Sequence, residues 1–218
     1  MIDLHTHSIF SDGELIPAEL AQRAWAAGYK FLAITDHADH SNIDFIIPRI
    51  IRACFKINQA GKINVFPGVE ITHVAPAQIA GLANEARKLG AKVVVVHGET
   101  IVEPVPAGTN LAALKADIDI LAHPGLLTEK EARLAAERGI YLEITTRRGH
   151  SFTNGHVAQT ARKCKAKLML NNDAHAPADF AGRERAQRIA SGAGLNAREV
   201  SAMFENSRRM VKKLQYER

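Results

Sequence analysis

The stretch Met1-Ile-Asp-Leu-His-Thr-His-Ser-Ile-Phe-Ser-Asp12 opens the chain with a short apolar run that leads into two histidines. His5 and His7 are two residues apart, and in an extended strand that spacing places both side chains on one face. Imidazole is the commonest protein ligand for transition metals. A single His-x-His pair is weak evidence for a metal site, so the segments that follow decide whether this pair belongs to one.

Six more short apolar runs follow this first strand, separated by longer amphipathic stretches. Seven such alternations of strand and helix predict a parallel α/β fold. The absence of a GxGxxG motif after the first strand disfavours a dinucleotide-binding sheet, and seven short strands in one domain fit a closed or nearly closed barrel. The runs are rich in Val, Ile and Leu, as buried parallel strands are: Phe31–Thr35, Ile63–Phe66, Lys92–Val96, Ile118–Ala122, Ile140–Ile144 and Lys167–Leu170.

The amphipathic stretches predict seven helices. Pro48 lies inside the second of them and indicates a kink or a late start, and the last helix is predicted to break near Asn206. Residues 98–110, with Pro104, Pro106 and Gly108, predict a loop. That loop is long for a compact domain, which favours a functional role. The predicted helices are 17–27, 43–60, 77–89, 128–138, 155–166, 178–191 and 196–213.

The chain has 218 residues, of which 46% are hydrophobic. This is enough for one sizeable core and predicts a single domain over residues 1–218. No apolar run approaches the roughly 20 residues that cross a bilayer, and the start of the chain lacks a signal-peptide pattern. We therefore expect a cytoplasmic protein, in which the distant Cys54 and Cys164 are reduced and buried in helices.

The net charge is +5, and residues 196–218 contribute a net +3 of it. A basic run of this kind is usually a solvated helix face. Contact with a nucleic acid or with a partner subunit is the alternative.

Histidine, aspartate or glutamate follows six of the seven predicted strands. In parallel α/β barrels the carboxyl ends of all strands open on one face, where active sites lie, so these residues should converge. If the barrel closes, the first strand lies beside the last, and the His5/His7 pair faces Asp173/His175. The predicted metal ligands are His5, His7, Asp12, His37, Glu70, His97, His123, Asp173 and His175.

Nine ligands exceed what a single ion requires. A zinc ion takes about four or five, so nine nitrogen and oxygen ligands suit two or three ions joined by a bridging group. Glu70 is the natural bridge, because its carboxylate has two oxygens. Mixed ligation of this kind disfavours an all-magnesium site and favours Zn, Mn or Fe.

The motifs resemble those of the PHP family, the polymerase and histidinol phosphatase domain. This resemblance implies a distorted (β/α)7 TIM-like barrel with a trinuclear site. One ion would be held by His5, His7, Glu70 and Asp173, a second by Glu70, His97 and His123, and a third by Asp12, His37 and His175. The matching motifs are Asp3-Leu-His5-Thr-His7 with Ser11-Asp12-Gly13, Ile34-Thr-Asp36-His37, Val96-His97 with Ala122-His123-Pro124, and Asn172-Asp173-Ala-His175.

The resemblance also implies an activity. We expect a phosphatase that hydrolyses a small phosphomonoester such as histidinol phosphate, which would place the enzyme in histidine biosynthesis. A metal-bridging hydroxide would attack phosphorus in line, and Asp36 is one candidate for the proton donor. A nuclease or nucleotide phosphatase is the alternative, as is an RNA-associated subunit similar to those barrel proteins that serve ribonuclease P.

Three residues outside the ligand set are predicted to bind the substrate. Arg148 and His150 follow the sixth strand, and guanidinium groups suit bidentate recognition of phosphate. Arg183 follows the last ligand motif. The alternatives are an exposed loop for the first two residues and a helix surface charge for Arg183. Glu99 and Glu103, in the long loop, could bind a substrate amine, although a solvated loop is the favoured interpretation.

Overall fold

The structure, a computed structural model, describes residues 1–216 and contains a parallel sheet wound into a barrel. In the sheet the strands follow the order β1-β2-β4-β5-β6-β7-β8, and β3 pairs with β4. Each predicted apolar run contributes one strand, and only the two-residue β3 lacks a predicted counterpart. The strands are β1 (Ile2–Asp3), β2 (Phe31–Ile34), β3 (His37–Ala38), β4 (Asn64–Ile71), β5 (Val93–His97), β6 (Ile120–Ala122), β7 (Tyr141–Thr145) and β8 (Leu168–Asn171).

The first and last strands meet and nearly close the sheet. Thr6 and Ala174 form an isolated parallel bridge, and the backbone N–H of His7 donates to the carbonyl of Ala174 at 2.9 Å. Nearer the start of β1, the N–H of Leu4 donates to Asn171 Oδ1 at 3.0 Å. The fold is therefore the distorted TIM-like (β/α) barrel that the sequence predicts.

The helices match the predicted stretches with three corrections. The last helix runs unbroken through Asn206, whose side-chain amide donates to the carbonyl of Leu168 at 2.8 Å instead of capping a break. The helix predicted from residue 178 begins at Arg183, after a 3-10 turn at Pro177–Asp179. A short helix closes the loop 98–110. The helices are α1 (Pro17–Ala26), α2 (Ile43–Gln59), α3 (Pro76–Leu89), α4 (Thr109–Ala113), α5 (Glu129–Arg138), α6 (Asn154–Cys164), α7 (Arg183–Gly192) and α8 (Ala197–Tyr216).

The apolar face of α8 packs onto the end of the barrel at which the strands begin. Met210, Val211 and Leu214 are buried in one cluster with residues from the first halves of the strands, among them Phe66 and Met169. Because α8 covers the amino-terminal ends of the strands, polar side chains gather at the opposite end. Of the predicted basic segment 196–218, Glu217 and Arg218 lie outside the described residues.

Membrane and redox features complete the description of the fold. Among the helices of residues 1–216, none combines the length and the apolar character that crossing a membrane requires. Cys54 in α2 and Cys164 in α6 are both buried and free.

Candidate metal centre

All nine predicted ligands gather at the carboxyl-terminal ends of the strands. His5 and His7 follow β1, His97 ends β5, and Glu70 lies on β4 between them in the sheet. His123 and Asp173 follow β6 and β8 with positive φ angles of 26° and 52°. Such angles cost about 1–3 kcal/mol for a residue other than glycine and cluster at functional sites.

The first group of side chains surrounds a position of the size of one ion. Ligands about 2.0–2.2 Å from a common ion lie about 3.0–3.5 Å from one another. His5 Nε2 lies 3.2 Å from Glu70 Oε1, and His7 Nε2 lies 3.3 Å from Asp173 Oδ1. The cross distances, His7 Nε2 to Glu70 Oε2 and His5 Nε2 to Asp173 Oδ1, are 3.6 and 3.8 Å. These four residues could hold one metal.

A second group lies at the mouth of the barrel around Asp12. Its Oδ1 is 3.1 Å from His175 Nε2 and 3.4 Å from His37 Nε2, and His7 Nδ1 approaches it at 4.0 Å. These four residues place one ligand atom each within 4.8 Å of the others. The side chain of Asp12 is 56% exposed, so this position faces solvent.

The third group consists of imidazoles. His97, His123 and His150 place one ring nitrogen each within 4.8 Å of the others, and the rings of His123 and His150 stack at 4.1 Å between centroids. The resemblance implied Glu70 as a further ligand here, and Glu70 Oε1 lies 3.9 Å from His123 Nε2. His150, predicted as a phosphate contact, lies against the rings of His97 and His123.

Several buried polar atoms of the centre have no hydrogen bond of acceptable geometry. They are His5 Nε2, both ring nitrogens of His7, both carboxylate oxygens of Glu70 and His123 Nδ1. A buried polar atom without a partner costs about 1–3 kcal/mol, unless a ligand satisfies it. All but His123 Nδ1 belong to the first group, and six imidazoles with three carboxylates are the donor set that transition metals prefer. The residues present therefore fit divalent ions.

The charge states of three central ligands, His7, His123 and Glu70, also suit metal binding. Burial lowers the pKa of His7 and His123 well below the ordinary value, and neighbouring histidines lower it further, so both rings are neutral and keep a free lone pair. Burial raises the pKa of Glu70, but His5 and His37 outweigh it and hold that pKa well below its usual range. Glu70 is therefore ionised at neutral pH.

Glu143 on β7 orients two of these ligands and was not identified from the sequence. It is fully buried. Its Oε1 accepts from Asn171 Nδ2 at 2.8 Å and lies 2.9 Å from His5 Nδ1, while Oε2 accepts from the N–H of His123 at 3.2 Å. A carboxylate on Nδ1 fixes the tautomer and leaves Nε2 free for a metal. The available signal was a charged residue in the middle of an apolar strand, Tyr-Leu-Glu-Ile-Thr.

We expect Glu143→Gln to weaken metal binding by about 10–100-fold, because the neutral amide orients His5 less firmly and lowers its basicity. Titration of the metal-free protein with zinc against a competing chelator measures the change. Glu137→Gln, an exposed position on α5, is the matched control. Equal affinities of the Glu143 variant and the wild type would contradict the role given to this carboxylate.

The guanidinium that reaches the centre is that of Arg147 and not that of Arg148. Arg147 Nε lies 3.6 Å from Asp173 Oδ2, and Nη1 donates to the carbonyl of Asp173 at 3.3 Å and to Asp179 Oδ2 at 3.2 Å. Arg148 is exposed to solvent, so the structure brings its neighbour Arg147 to the centre.

Arg183 does not join the centre. Its guanidinium lies over the ring of Phe204 at 5.3 Å. Burial is the larger cause of the lowered pKa of the Met1 amino group, and the charge of Arg183 lowers that pKa further. Met1 precedes β1, and the metal ligands follow that strand. Arg183 therefore lies towards the opposite end of the barrel from the ligands. This position fits a helix surface charge, the alternative to a substrate contact.

Asp36 supports the first ligand loop and is not free to act as a proton donor. Its oxygens accept from the N–H and the hydroxyl of Ser8, both at 2.7 Å, and from the hydroxyl of Ser11 at 2.8 Å. These bonds fix the segment between His7 and Asp12.

A parallel barrel with imidazoles and carboxylates at the carboxyl ends of its strands has the arrangement of a metal-dependent hydrolase. Residues 3–100 match the model of the PHP domain family. An uncharacterised protein of Methanocaldococcus jannaschii is 48% identical over 200 residues, which are 91% of this chain and 92% of that protein. The chain belongs to the PHP domain family.

More distant relatives share parts of the sequence or the fold. Ribonuclease P protein component 3 of Methanosarcina barkeri is 27% identical over 151 residues, 66% of this chain and 56% of that protein. A candidate histidinol phosphatase of Listeria monocytogenes superposes with a TM-score of 0.62 at 13% identity, covering 86% of this chain and 99% of the other. Metal-dependent tyrosine phosphatases of Bacillus subtilis and Streptococcus pneumoniae give 0.63 at 18% identity, covering 97% and 94%.

Proposed function

We propose that this protein is a metal-dependent phosphatase that hydrolyses a small phosphomonoester. The observation that supports this most is the convergence of partnerless buried lone pairs in the first ligand group, at the spacing of ligands on a common ion. The relatives that combine this fold with a named activity include metal-dependent phosphatases, and a candidate histidinol phosphatase has the same fold.

The residues of the chain divide the work of such a reaction. His5, His7, Glu70 and Asp173 would hold one ion, and Asp12, His37 and His175 another. When bound, the ions supply a water of lowered pKa and positive charge for the phosphoryl oxygens. Arg147, fixed by its bonds to Asp173 and Asp179, would orient the phosphate through its guanidinium. No serine or cysteine nucleophile is required.

The metal content and a substrate screen test this proposal together. We expect two or three transition-metal ions per chain by elemental analysis. Turnover of phosphomonoesters should be lost on chelation and restored by Zn, Mn or Fe. Histidinol phosphate, sugar phosphates, nucleotides and short oligonucleotides form the screen, and a role in histidine biosynthesis depends on the first of them. Fewer than one ion per chain, or cleavage of oligonucleotides alone, would contradict the proposal.

An association with RNA is a second candidate function, favoured by the distribution of charge. Within residues 183–216, eight Lys and Arg stand against three Glu, a net +5 that equals the charge of the whole chain. These residues form α7 and α8, at the end of the barrel away from the metal centre, and a relative is a ribonuclease P protein. RNA binding whose affinity falls steeply with salt, without phosphomonoester turnover, would support this function instead.

A further inference from the structure

Four large apolar side chains are exposed in the loops beside the metal centre. Ile101, Val102, Leu126 and Phe152 are each between 44% and 73% exposed. Their segments follow β5, β6 and β7, at the carboxyl ends of the strands, where the candidate ligands also lie. Single exposed apolar residues are ordinary, whereas several on adjoining segments mark a binding surface.

The loop after β6 lies directly against the loop after β5. Gly125 has a φ of 61°, and a side chain there would begin 1.8 Å from the carbonyl oxygen of Glu99 and 3.3 Å from the Cα of Thr100. A contact this close leaves room for glycine alone. The backbone beside Leu126 is therefore in contact with the backbone beside Ile101.

The loop after β7 adjoins the same segment. A side chain at Gly149 would begin 3.7 Å from a methyl group of Val102, and Thr100 Oγ1 lies 2.8 Å from His150 Nδ1. Val102 therefore lies over the turn that leads to Phe152. We call the exposed apolar residues of these three adjoining segments the apolar wall: Ile101, Val102, Leu126 and Phe152.

The apolar wall begins within a few residues of the metal centre. Leu126 follows His123 by three residues, and Phe152 follows His150 by two. Because one residue spans at most about 3.6 Å, the Cα atoms of the two pairs are within about 11 and about 7 Å of each other. His123 is a predicted ligand, and its ring stacks on that of His150. An alcohol of several carbons spans such a distance.

We propose that the apolar wall binds the alcohol portion of the substrate, so that the preferred phosphomonoesters are those of apolar alcohols, aromatic ones included. This inference rests on the proposed function, because it names the substrate class of the same centre. Contact with the wall removes apolar surface of the alcohol and of the protein from water. A second phosphate on this side would instead meet the carboxylate of Glu103, which lies 3.0 Å from His97 Nε2.

Two esters of similar reactivity test the role of the apolar wall. Ethyl phosphate and 2-phenylethyl phosphate are both esters of primary alcohols, and they differ in the ring that the wall would bind. We expect the wild type to prefer 2-phenylethyl phosphate by about 10–100-fold in kcat/KM. Val102→Ser and Phe152→Ser should each lower this ratio by about tenfold. A loss of metal would lower both kcat/KM values and leave the ratio unchanged.

Phe55→Ser is the matched control, since it removes an equally exposed ring from another part of the barrel. Phe55 is 60% exposed near the end of α2. Asn58, in the next turn of that helix, bonds to the backbone of Val65 at the start of β4. Phe55 is therefore remote from the carboxyl ends of the strands, and its loss should keep the ratio of the wild type.

The outcomes separate this inference from the proposed function. Equal kcat/KM values for the two esters in the wild type would overturn the apolar wall as a substrate site and leave the phosphatase proposal standing. A preference that neither Val102→Ser nor Phe152→Ser reduces would also overturn it. If the wild type, loaded with Zn, Mn or Fe, hydrolyses no phosphomonoester, both proposals are overturned. A wild-type dimer that Phe152→Ser dissociates in sedimentation would show that a second copy covers the wall instead of the substrate.

Discussion

Glu70→Gln is expected to remove at least one metal ion per chain and to lower phosphomonoester turnover by about 100–1,000-fold, since a metal-held charge contributes several kcal/mol to the transition state. The carboxylate of Glu70 approaches four imidazoles, those of His5, His7, His37 and His123, at 3.2, 3.6, 2.7 and 3.9 Å. Among the carboxylates of residues 1–216, Asp173 alone is described with more histidine contacts, namely five.

The size of this effect follows from the burial of Glu70. The side chain is fully buried, so water cannot replace the lost charge, and an amide offers a single neutral oxygen in place of two charged ones. In the variant, an ion bound between two groups of imidazoles loses Glu70, the ligand that both groups share. The same change should leave the fold intact, because glutamine has the size of glutamate.

Elemental analysis and steady-state kinetics of the purified variant measure the two losses. Glu137→Gln, at an exposed site on α5, is expected to keep the metal content and the turnover of the wild type. Full metal content in Glu70→Gln would show that Glu70 is not a ligand. Full turnover with a reduced metal content would show that the lost ion is not required for the reaction.

The convergence of the candidate ligands could be predicted from the sequence because their positions depend on strand ends. Each apolar run stops at a residue such as His97 or His123, and a parallel barrel brings all such residues to one face. Polarity at the end of an apolar run is a local signal. The barrel geometry converts it into a spatial cluster without knowledge of any side-chain rotamer.

The side chains around the ligands could not be placed in this way. Whether Arg147 or Arg148 reaches the centre depends on the φ and ψ angles of one turn, and those angles follow from packing. Glu143 is a charge inside a strand, and its partners Asn171 and His5 lie on other strands. Glu103 lies 3.0 Å from His97 Nε2, a contact that depends on the conformation of the loop 98–110. Such pairings are set by the tertiary structure.

The C-terminal helix shows a second limit. Its charges indicated a solvated basic face, and the structure adds an apolar face that includes Met210 and Leu214 and covers one end of the barrel. A period of three to four residues in α8 predicts that it is amphipathic, but the surface against which it packs is determined by the closed sheet. The prediction of a break near Asn206 was wrong for the same reason, since the side-chain amide of Asn206 bonds to β8.

Asn172→Ala is expected to destabilise the metal-free protein by about 3–5 kcal/mol at pH 8, because it removes a hydrogen bond to the buried Asp3 carboxylate and leaves buried polar groups on three other segments without their partner. Asn172 joins four segments at the seam of the barrel. Its N–H donates to Asp3 Oδ1 at 3.2 Å and its Nδ2 to Tyr29 Oη at 2.6 Å. Its Oδ1 accepts from Thr146 Oγ1 at 2.9 Å and from the N–H of Ala181 at 3.2 Å.

The orientation of this amide is fixed, which makes its loss costly. Two donors hold Asn172 Oδ1, so Nδ2 must face Asp3, to whose Oδ2 it donates. Burial raises the pKa of Asp3 to about 7, although the hydrogen bonds from Asn172 lower it. Removing the amide should raise that pKa further. Above the folded-state pKa, Asp3 is then charged and its buried Oδ2 lacks the donor that Asn172 supplied, whereas below it the carboxyl is neutral.

The destabilisation should therefore grow as the pH rises through 7. The raised pKa means that folded Asp3 keeps its proton between the unfolded value near 4 and about 7, so its contribution to stability falls over that interval. Urea unfolding of wild type and variant, both with chelator, should give a larger difference in free energy at pH 8 than at pH 5.5. Asn206→Ala, which removes the single described side-chain bond of that residue, to Leu168, should cost about 1 kcal/mol at both pH values. A pH-independent difference for Asn172→Ala would show that the unpaired charge of Asp3 is not its cause.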